Sequence, residues 1–423
     1  MKAKVLILTY YWPPSGGAGV QRWLKFAGYL ARMGFDPVVL TVDPKYATYP
    51  ATDNSLENEI PAGVRVIKTK ATDYFRLLSR NKSSLPSAGF AKTGGNTLIG
   101  KFARFVRGNF FIPDPRKGWN KYAFNKASEL IETLQINTFI TTSPPHSTQL
   151  IGLNLKRKFP ELTWIADLRD PWTDIYYYKE FFPALPARMA DRKYERSVIE
   201  GADQIISVGK GLSEIFTSRY PSSVNKFTVI PNGYDHADFS GLIPNNPAIF
   251  TISYVGTLSG SYNITGLVDV LKDLAGTGAE FKLSFTGFVS DDQKGFLANN
   301  LSREQLIFGN YCSHQEAIHK MLETSVLLLL IPDHSSSKVI LTGKIFEYIA
   351  TGKPILCIGP IDGDAALTIS GFGNCLAADY TDRDSIRSFL EVAMNGNLPA
   401  RPYLPANFSR EEGAKKLAEI ILK

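Results

Sequence analysis

The sequence contains little cysteine and no long apolar run. Its 423 residues include three cysteines, none of which forms a CxxC pair. Neither a disulfide framework nor a cysteine zinc site is supported, and we expect no resident metal. The nearest approach to a membrane span is the apolar segment 326–331, whereas a spanning helix needs about 20 apolar residues. We therefore expect a cytoplasmic protein.

Acidic residues are scarce in one stretch of the chain. From residue 76 to residue 126, Asp114 is the single acid among eleven lysines and arginines, and the formal net charge of the whole chain is +7. Within this stretch, segment 98–117 interleaves apolar and basic residues at helical spacing. This pattern predicts an amphipathic helix that makes peripheral contact with the anionic inner face of the cell membrane. The alternative is a helix that packs its phenylalanine face on the protein and leaves its charges in solvent.

The basic residues of the same stretch could also bind nucleic acid. Its aromatic residues favour a membrane face over a platform for stacked bases, so we expect no nucleic-acid partner.

Short apolar runs alternate with helical segments, as in a parallel α/β sheet. The predicted strands of the first half are 4–10, 37–42, 64–68, 138–142, 163–166, 204–208 and 227–230. Those of the second half are 250–255, 281–286, 306–308, 326–331 and 355–358. A turn-rich break and a loose, proline-containing stretch separate the halves. We predict two Rossmann-like domains, 1–235 and 249–398, and a C-terminal helix within 406–423 that can cross back to the first domain.

A glycine-rich turn follows the first predicted strand. Gly16 and Gly17 precede the predicted helix 20–33. Glycines let backbone amides approach a ligand at the carboxyl edge of a sheet, so we predict that both contact a substrate. The turn lacks the third glycine of the dinucleotide fingerprint, which argues against a nicotinamide cofactor. A loop that only needs tight turns is the alternative.

Two further strands of the first half end in polar residues. His146 follows strand 138–142, whereas Asp167, Arg169 and Asp170 follow strand 163–166. Open α/β sheets bind ligands at the carboxyl ends of their strands, so we predict a functional His146. Asp170 or Asp167 can hydrogen-bond a hydroxyl or accept a proton. The alternatives are a surface histidine and a structural ion pair in which Arg169 holds either aspartate.

In the second half, a lysine and a glutamate share one helix turn. Lys344 and Glu347 are three residues apart, so they lie on one face of the predicted helix 344–351. Gly343 lets the backbone approach a ligand, and the helix N-terminus offers N–H donors to an anion. The segment predicts a seat for a phosphate and a sugar hydroxyl. An ordinary exposed ion pair is the alternative.

Two loops add to this prediction. Gly256, Thr257 and Leu258 follow strand 250–255, and their amides with the threonine hydroxyl can cradle a pyrophosphate. Tyr311 follows strand 306–308 and can form one wall of a base pocket. A plain strand-to-loop turn is the alternative for Tyr311.

Taken together, these motifs resemble the family 4 glycosyltransferases of the GT-B fold over nearly the whole chain. The matching segments are the amino-terminal strand with its glycine-rich loop, Ile230-Pro-Asn-Gly-Tyr-Asp235, Tyr254-Val-Gly-Thr-Leu258 and Lys344-Ile-Phe-Glu347-Tyr-Ile-Ala-Thr-Gly352-Lys-Pro354. Segments 143–146 and 167–172 resemble those of a subgroup found in bacterial surface-polysaccharide synthesis.

The resemblance implies a retaining, metal-independent glycosyltransferase of the hexosyltransferase type, with two Rossmann-like domains facing a cleft. The C-terminal domain would bind a UDP- or GDP-sugar donor, and the N-terminal domain a lipid-linked or glycan acceptor. No cofactor is implied. We assign catalysis to Lys344, His146 and Asp170. The nucleotide site would comprise Gly256, Thr257, Leu258, Tyr311, Gly343, Lys344, Ile345 and Glu347, and the acceptor site Gly16, Gly17, Asp167 and Arg169.

The sequence departs from the family pattern at one position. Val339 stands where the family has the first glutamate of a pair, eight residues before Glu347. The contact that this glutamate makes to the donor sugar is therefore missing, and the sugar stays open. A sugar-nucleotide epimerase and a catalytically silent sugar-nucleotide-binding protein are the remaining alternatives.

Overall fold

A computed structural model describes residues 2–72, 74 and 98–423 of the chain. The chain divides into two compact units. Unit 1 comprises Met1–Pro231 and Gly413–Lys423, and unit 2 comprises Asn232–Glu412. Each unit is built on its own parallel sheet with flanking helices.

Unit 1 contains a seven-stranded parallel sheet in the order β3-β2-β1-β4-β5-β6-β7. Its strands are β1 (Lys4–Leu8), β2 (Asp36–Val42), β3 (Arg65–Thr69), β4 (Thr138–Ser143), β5 (Thr163–Leu168), β6 (Gln204–Ser207) and β7 (Phe227–Val229). β1 and β4 are central and buried on both faces, which explains the continuous apolar run 5–8 in β1. The strand order reverses between β1 and β4, so the loops after these strands diverge at the carboxyl edge, where such sheets bind ligands.

The helices of unit 1 cover the two faces of this sheet. They are α1 (Ala18–Arg32), α2 (Leu98–Phe110), α3 (Asn120–Leu134), α4 (Ser147–Lys158), α5 (Leu185–Gly201) and α6 (Lys210–Arg219). None of the helices in the described ranges is both long and apolar enough to cross a membrane.

Unit 2 contains a six-stranded parallel sheet in the order β10-β9-β8-β11-β12-β13. The strands are β8 (Phe250–Val255), β9 (Phe281–Thr286), β10 (Leu306–Gly309), β11 (Val326–Leu330), β12 (Ile355–Ile358) and β13 (Cys375–Ala378). The helices are α7 (Thr265–Gly276), α8 (Asp291–Asn300), α9 (His314–Leu322), α10 (Lys344–Ala350), α11 (Asp364–Ile369) and α12 (Arg383–Met394). The two sheets confirm the prediction of two Rossmann-like halves.

The last helix, α13 (Arg410–Ile421), joins the core of unit 1 through its second half. Ala414, Leu417 and Ile420 are buried in the same apolar cluster as Val5 and Ile7 of β1. This confirms the predicted return of the C-terminal helix to the first half of the sequence.

The sequence-based elements differ from the structure in two places. β13, α11 and α12 were not predicted, because β13 is a short and only partly buried edge strand and α11 spans six residues. Segment 98–117 is a helix only as far as Phe110, and Pro115–Trp119 forms a separate 3₁₀ helix. Pro113 and Pro115 account for the break, since proline cannot supply the N–H that a continuing helix needs.

The phenylalanines of α2 face solvent, whereas the alternative predicted that they pack on the protein. Phe102 and Phe110 are 68% and 67% exposed. The side of α2 that faces the rest of unit 1 carries Asn109. Its amide nitrogen donates to the carbonyl of Phe182 at 3.1 Å, and its carbonyl accepts from the amide of Ala184 at 2.7 Å. The alternative in which the phenylalanine face packs on the protein is therefore wrong.

Candidate functional sites

Lys344, at the start of α10, is held by Tyr254 near the end of β8. The ammonium of Lys344 donates to the hydroxyl of Tyr254 at 3.0 Å and lies 4.3 Å from the centroid of its ring. Burial lowers the pKa of Lys344, and the nearby Tyr262 and Glu347 oppose this change. Tyr254 is a neutral partner because burial raises the pKa of its hydroxyl. The positive charge of Lys344 is thus positioned without being cancelled by a bonded carboxylate.

Gly256 shapes the space around this cation. Its φ of +136° suits glycine, and a Cβ built at this position would lie 2.5 Å from the ammonium of Lys344. Its amide donates to the carbonyl of Thr286 at 2.8 Å, and the amide of Leu258 donates to the carbonyl of Phe288 at 2.8 Å. The expectation that these two amides cradle a pyrophosphate is therefore wrong, because both are used within the sheet and its loops. Gly256 contributes the room that Lys344 needs.

The carboxylate on the same helix face has a histidine partner. Nε2 of His314, the first residue of α9, lies 3.0 Å from Oε1 of Glu347. Burial opposes ionisation of Glu347, but the hydrogen bond and charge of His314, with the charges of Arg410 and Lys344, prevail and lower its pKa. Lys344 and Glu347 thus have different bonded partners, rather than the simple ion pair that their spacing also allows.

His314 was not predicted as a site residue. The one local signal was a capping box, in which Ser313 bonds the amide of Glu316 and Glu316 bonds the amide of Ser313. That pattern marks the start of α9 but says nothing about Glu347.

The other predicted nucleotide contacts of unit 2 differ in how accessible they are to a ligand. A Cβ built on Gly343 meets nothing within 4 Å, so its backbone is open to a ligand. Ile345 is fully buried and its amide donates to the carbonyl of Thr342 at 3.3 Å, so a direct contact from its side chain or amide is wrong. Tyr311 is 82% exposed, so its ring is accessible to a ligand, and its role as a wall of a base pocket stays a prediction.

In unit 1, Asp167 lies inside a saturated network. It accepts hydrogen bonds from Arg22 at 3.0 Å, from the indole of Trp23 at 2.7 Å and from the hydroxyl of Thr142 at 2.7 Å. The side chain is fully buried. The predicted substrate contact of Asp167 is therefore wrong, because its oxygens already serve the core. The structural ion pair that was the alternative therefore exists, with Arg22 at 3.0 Å and Arg169 at 4.0 Å from the carboxylate of Asp167.

Arg169 bridges loops of unit 1. Its guanidinium donates to the carbonyls of Ser143 at 2.8 Å, Gly19 at 2.8 Å and Pro144 at 3.4 Å. These bonds tie the loop after β4 to the start of α1. The arginine predicted to contact substrate thus has a structural role.

The glycine-rich turn also uses its amides internally. The amide of Gly16 donates to the carbonyl of Ala51 at 2.9 Å, so its predicted substrate contact through that amide is wrong. Gly17 has a φ of +97° and open space where a Cβ would stand. Gly17 therefore provides the conformation that starts α1 and leaves its backbone accessible.

His146 stacks on an unpredicted aromatic residue. Its ring lies 4.6 Å from that of Trp172, at an angle of 18°. Burial, assisted by the charge of Arg169, lowers the pKa of His146 to about 3, so the ring is neutral near pH 7. Its Nδ1 is buried and has no hydrogen-bond partner within the described ranges. A neutral imidazole of this kind can accept or donate a hydrogen bond but carries no charge.

His146 and Trp172 line a pocket of about 700 Å³. The indole of Trp172 donates to Asp191 at 2.8 Å, and burial raises the pKa of Asp191 to about 6. The other lining residues are Tyr11, Arg107, Gly108, Phe111, Ile112, Pro113, Asp114, Arg116, Pro144, Pro145, Ile175, Tyr177, Tyr178 and Phe181. Asp170 is not among them, although burial raises its pKa against the opposing charge of Arg169. The pocket draws on segments far apart in the sequence, which is why the sequence did not reveal it.

No protein-family model matches the chain, and no curated protein matches it. Solved structures match it over nearly its whole length. The lipopolysaccharide outer core galactosyltransferase WaaB has a TM-score of 0.59 at 13% identity, with 99% of each chain covered. A glycosyltransferase from Rickettsia africae has a TM-score of 0.57 at 14% identity, covering 100% of this chain and 99% of the other. HepE from Anabaena, solved with UDP and glucose, has a TM-score of 0.56 at 15% identity, with both chains fully covered. The chain therefore has the two-domain GT-B fold of these glycosyltransferases.

Proposed function

We propose that the protein is a glycosyltransferase that moves a hexose from a UDP- or GDP-sugar to a lipid-linked or glycan acceptor in surface-polysaccharide synthesis. The observation that carries this proposal is the placement of Lys344 by Tyr254 beside the small residue Gly256. Glu347, one turn further along α10, adds a carboxylate suited to ribose hydroxyls. The names of the similar structures support the same class, since WaaB is a galactosyltransferase and HepE was solved with UDP and glucose.

The proposed chemistry is transfer with retention, without a metal, as in the family 4 enzymes that the sequence resembles. As the bond between sugar and pyrophosphate breaks, the leaving group gains negative charge. The ammonium of Lys344 would stabilise this charge in a partly buried setting, where electrostatic interactions are stronger than in water. Its charge is not consumed by a carboxylate hydrogen bond, because its bonded partner is the hydroxyl of Tyr254.

We assign the donor to unit 2 and the acceptor to unit 1. In unit 1, neutral His146 is the candidate to hydrogen-bond a sugar hydroxyl, because its Nδ1 has no partner in the described ranges. Asp170 remains a candidate proton acceptor, since burial raises the pKa of its carboxyl group against the opposing charge of Arg169.

A thermal-shift screen of nucleotide diphosphates tests the donor assignment. A ligand that binds the native state raises the unfolding temperature by mass action, so the screen identifies the base. We expect a shift with UDP or GDP that is lost in Lys344→Ala. Lys320→Ala is the matched control, because Lys320 is an exposed lysine of unit 2 that pairs with Glu323. An equal shift for wild type and Lys344→Ala would contradict the assignment.

A transfer assay tests the reaction itself. We expect Lys344→Ala to lose transfer while keeping its fold, as judged by circular dichroism. Near-normal turnover of the purified variant would refute the catalytic role of Lys344. Free epimer formed without an acceptor would instead favour an epimerase.

We further propose peripheral membrane contact through segment 98–117, with the protein on the cytoplasmic side. Phe102 and Phe110 are largely exposed on α2, and Leu185 and Met189 are exposed on α5. Asn109 joins the two helical segments through its bonds to residues 182 and 184. An apolar surface with nearby basic residues suits an anionic bilayer.

Vesicle flotation tests this contact. We expect the double variant Phe102→Asp, Phe110→Asp to float poorly with vesicles containing phosphatidylglycerol. Tyr311→Asp, which changes an exposed aromatic residue of unit 2, is the control and should float like the wild type. Equal flotation of all three proteins would argue against the contact.

A further inference from the structure

The pocket in unit 1 contains two arginines that the proposed reaction does not use. Arg107 comes from α2, and Arg116 comes from the 3₁₀ helix that follows. The guanidinium of Arg107 lies 3.9 Å from the centroid of the Phe181 ring. Within the described ranges, it has no hydrogen-bond or ion-pair partner. Arg116 is only 7% exposed.

The electrostatics of these arginines indicate a place for an anion. Burial, together with the charge of Arg116, lowers the pKa of Arg107 to about 10, against smaller opposing effects of Tyr177, Asp114 and Tyr11. Both arginines therefore stay positively charged at neutral pH, and they repel each other. An anionic ligand between them would relieve that repulsion.

The two carboxylates that line the pocket are already engaged. Asp114 accepts from the amide and hydroxyl of Ser147 at 2.7 and 2.8 Å and from the amide of Arg116 at 2.9 Å. Asp191 accepts from the indole of Trp172 at 2.8 Å and has a side-chain hydrogen bond with Tyr178. Neither carboxylate forms an ion pair with Arg107 in the described part of the chain. Arg107 is thus the group with free donors for a ligand.

The remaining walls favour a ligand that also has an apolar or ring-shaped part. Phe111, Pro144, Pro145 and Trp172 present carbon surface, and His146 is neutral. Such walls exclude water from one side of a bound anion, which strengthens its attraction to the guanidinium. A guanidinium also matches phosphate oxygens with paired donors.

We infer that this pocket binds the phosphate group of a phosphate ester, with Arg107 as the principal donor and the apolar walls holding the ester's organic part. This inference rests on the proposed function, which assigns the acceptor to unit 1. It adds that the acceptor carries a phosphate group. The phosphate of a lipid and the phosphate of a sugar share this chemistry. The test below separates them.

Calorimetric titration of the full chain uses three probes: hexyl phosphate, glucose 1-phosphate and the uncharged hexyl glucoside. We expect one of the two phosphates to bind and the uncharged probe to bind at least tenfold more weakly. Preference for hexyl phosphate indicates a lipid source, and preference for glucose 1-phosphate indicates a glycan source. Equal affinity for the uncharged probe would overturn the inference.

Arg107→Gln tests the role of Arg107 in the pocket, and Arg104→Gln is its matched control. Both residues lie on α2, and Arg104 stacks on Phe182 at 5.9 Å but does not line the pocket. We expect Arg107→Gln to weaken phosphate binding at least tenfold and Arg104→Gln to change it less than twofold. If Arg107→Gln unfolds, Arg107→Lys replaces it and should retain partial binding. Unchanged binding in a folded Arg107 variant would overturn the inference.

The donor site also binds phosphates in the proposed function, so its contribution must be separated. The probes are therefore titrated into Lys344→Ala as well. Binding that survives in Lys344→Ala but is lost in Arg107→Gln belongs to the unit 1 pocket. If the wild type does not bind the phosphate esters, the pocket inference is wrong. If Arg107→Gln still shows the thermal shift with a nucleotide, the proposed function is unaffected. If the phosphate esters bind but no nucleotide shifts the unfolding temperature, the pocket is supported and the donor site is rejected.

Discussion

The hydroxyl of Tyr254 accepts a hydrogen bond from Lys344 at 3.0 Å and donates one to the carbonyl of Thr257 at 2.8 Å. One side chain therefore positions both the cation and the loop that follows β8. Because Tyr254 is neutral, it orients the ammonium without neutralising it. This arrangement gives the lysine a defined position before any ligand arrives.

Tyr254→Phe removes both hydrogen bonds but keeps the ring under the ammonium. We expect nucleotide diphosphate affinity to fall about fivefold, since a hydrogen bond of this kind contributes about 1 kcal/mol. Calorimetric titration with the nucleotide identified by the screen measures the change. Tyr403→Phe is the control, because the Tyr403 hydroxyl donates to the carbonyls of Phe239 and Leu242 instead. Equal affinities for the two variants would show that Tyr254 does not position Lys344.

Gly256→Ala tests whether the space beside Lys344 matters. The new Cβ would lie 2.5 Å from the ammonium, and the φ of +136° is strained for alanine. We expect at least a tenfold loss of nucleotide affinity and about 1–3 kcal/mol of lost stability. Gly260→Ala, in the same loop, meets nothing within 4 Å and should bind normally. Normal binding by Gly256→Ala would mean that Lys344 acts from another position.

His314→Gln tests the charge on the partner of Glu347 while keeping a hydrogen-bond donor. Burial opposes protonation of His314, but the hydrogen bond and charge of Glu347 raise its pKa, with Asp238 assisting and Arg410 opposing. A raised histidine pKa stabilises the folded state below the ordinary value of 6.5, and this contribution is lost as pH rises through the folded-state pKa. The lowered pKa of Glu347 stabilises the folded state above the ordinary value of 4.5 and is lost as pH falls through its folded-state pKa.

The two contributions overlap between the ordinary pKa values of 4.5 and 6.5. We expect wild type to exceed His314→Gln in unfolding free energy by up to about 1 kcal/mol in that window, with the difference shrinking above it. Urea unfolding of both proteins at a series of pH values measures this difference. A difference that does not change with pH would exclude a charged His314–Glu347 pair.

The sequence predicted the strands better than the contacts. Strands such as β1 and β11 are continuous apolar runs, because both faces of a parallel sheet are covered, and such runs are visible without a structure. The candidate residues Lys344, Glu347 and His146 were visible too, since each lies at or near the end of a predicted strand or the start of a helix. Their partners were not visible: Glu347 and His314 are 33 positions apart, and Asp167 and Arg22 are 145 apart.

The amphipathic pattern of α2 shows the same limit. Helical spacing identified an apolar face and a basic face, but periodicity does not say which face meets the protein. Contacts of Gly108 with Phe181 and of Asn109 with Phe182 decide it, and they turn the phenylalanines outward. Arg107 is thereby directed to the pocket, which no local pattern indicates.

Asp167→Asn distinguishes a structural aspartate from a substrate-binding one. The substitution removes the charge that faces buried Arg22 at 3.0 Å. Breaking a buried ion pair by removing one partner leaves an uncompensated charge and costs about 3–5 kcal/mol. We therefore expect a loss of that size in urea unfolding. Glu129→Gln, which breaks the exposed pair with Lys126, is the control and should cost less than about 1 kcal/mol. A variant that keeps its stability but loses transfer would restore Asp167 to the acceptor site, because only a ligand contact then explains the loss.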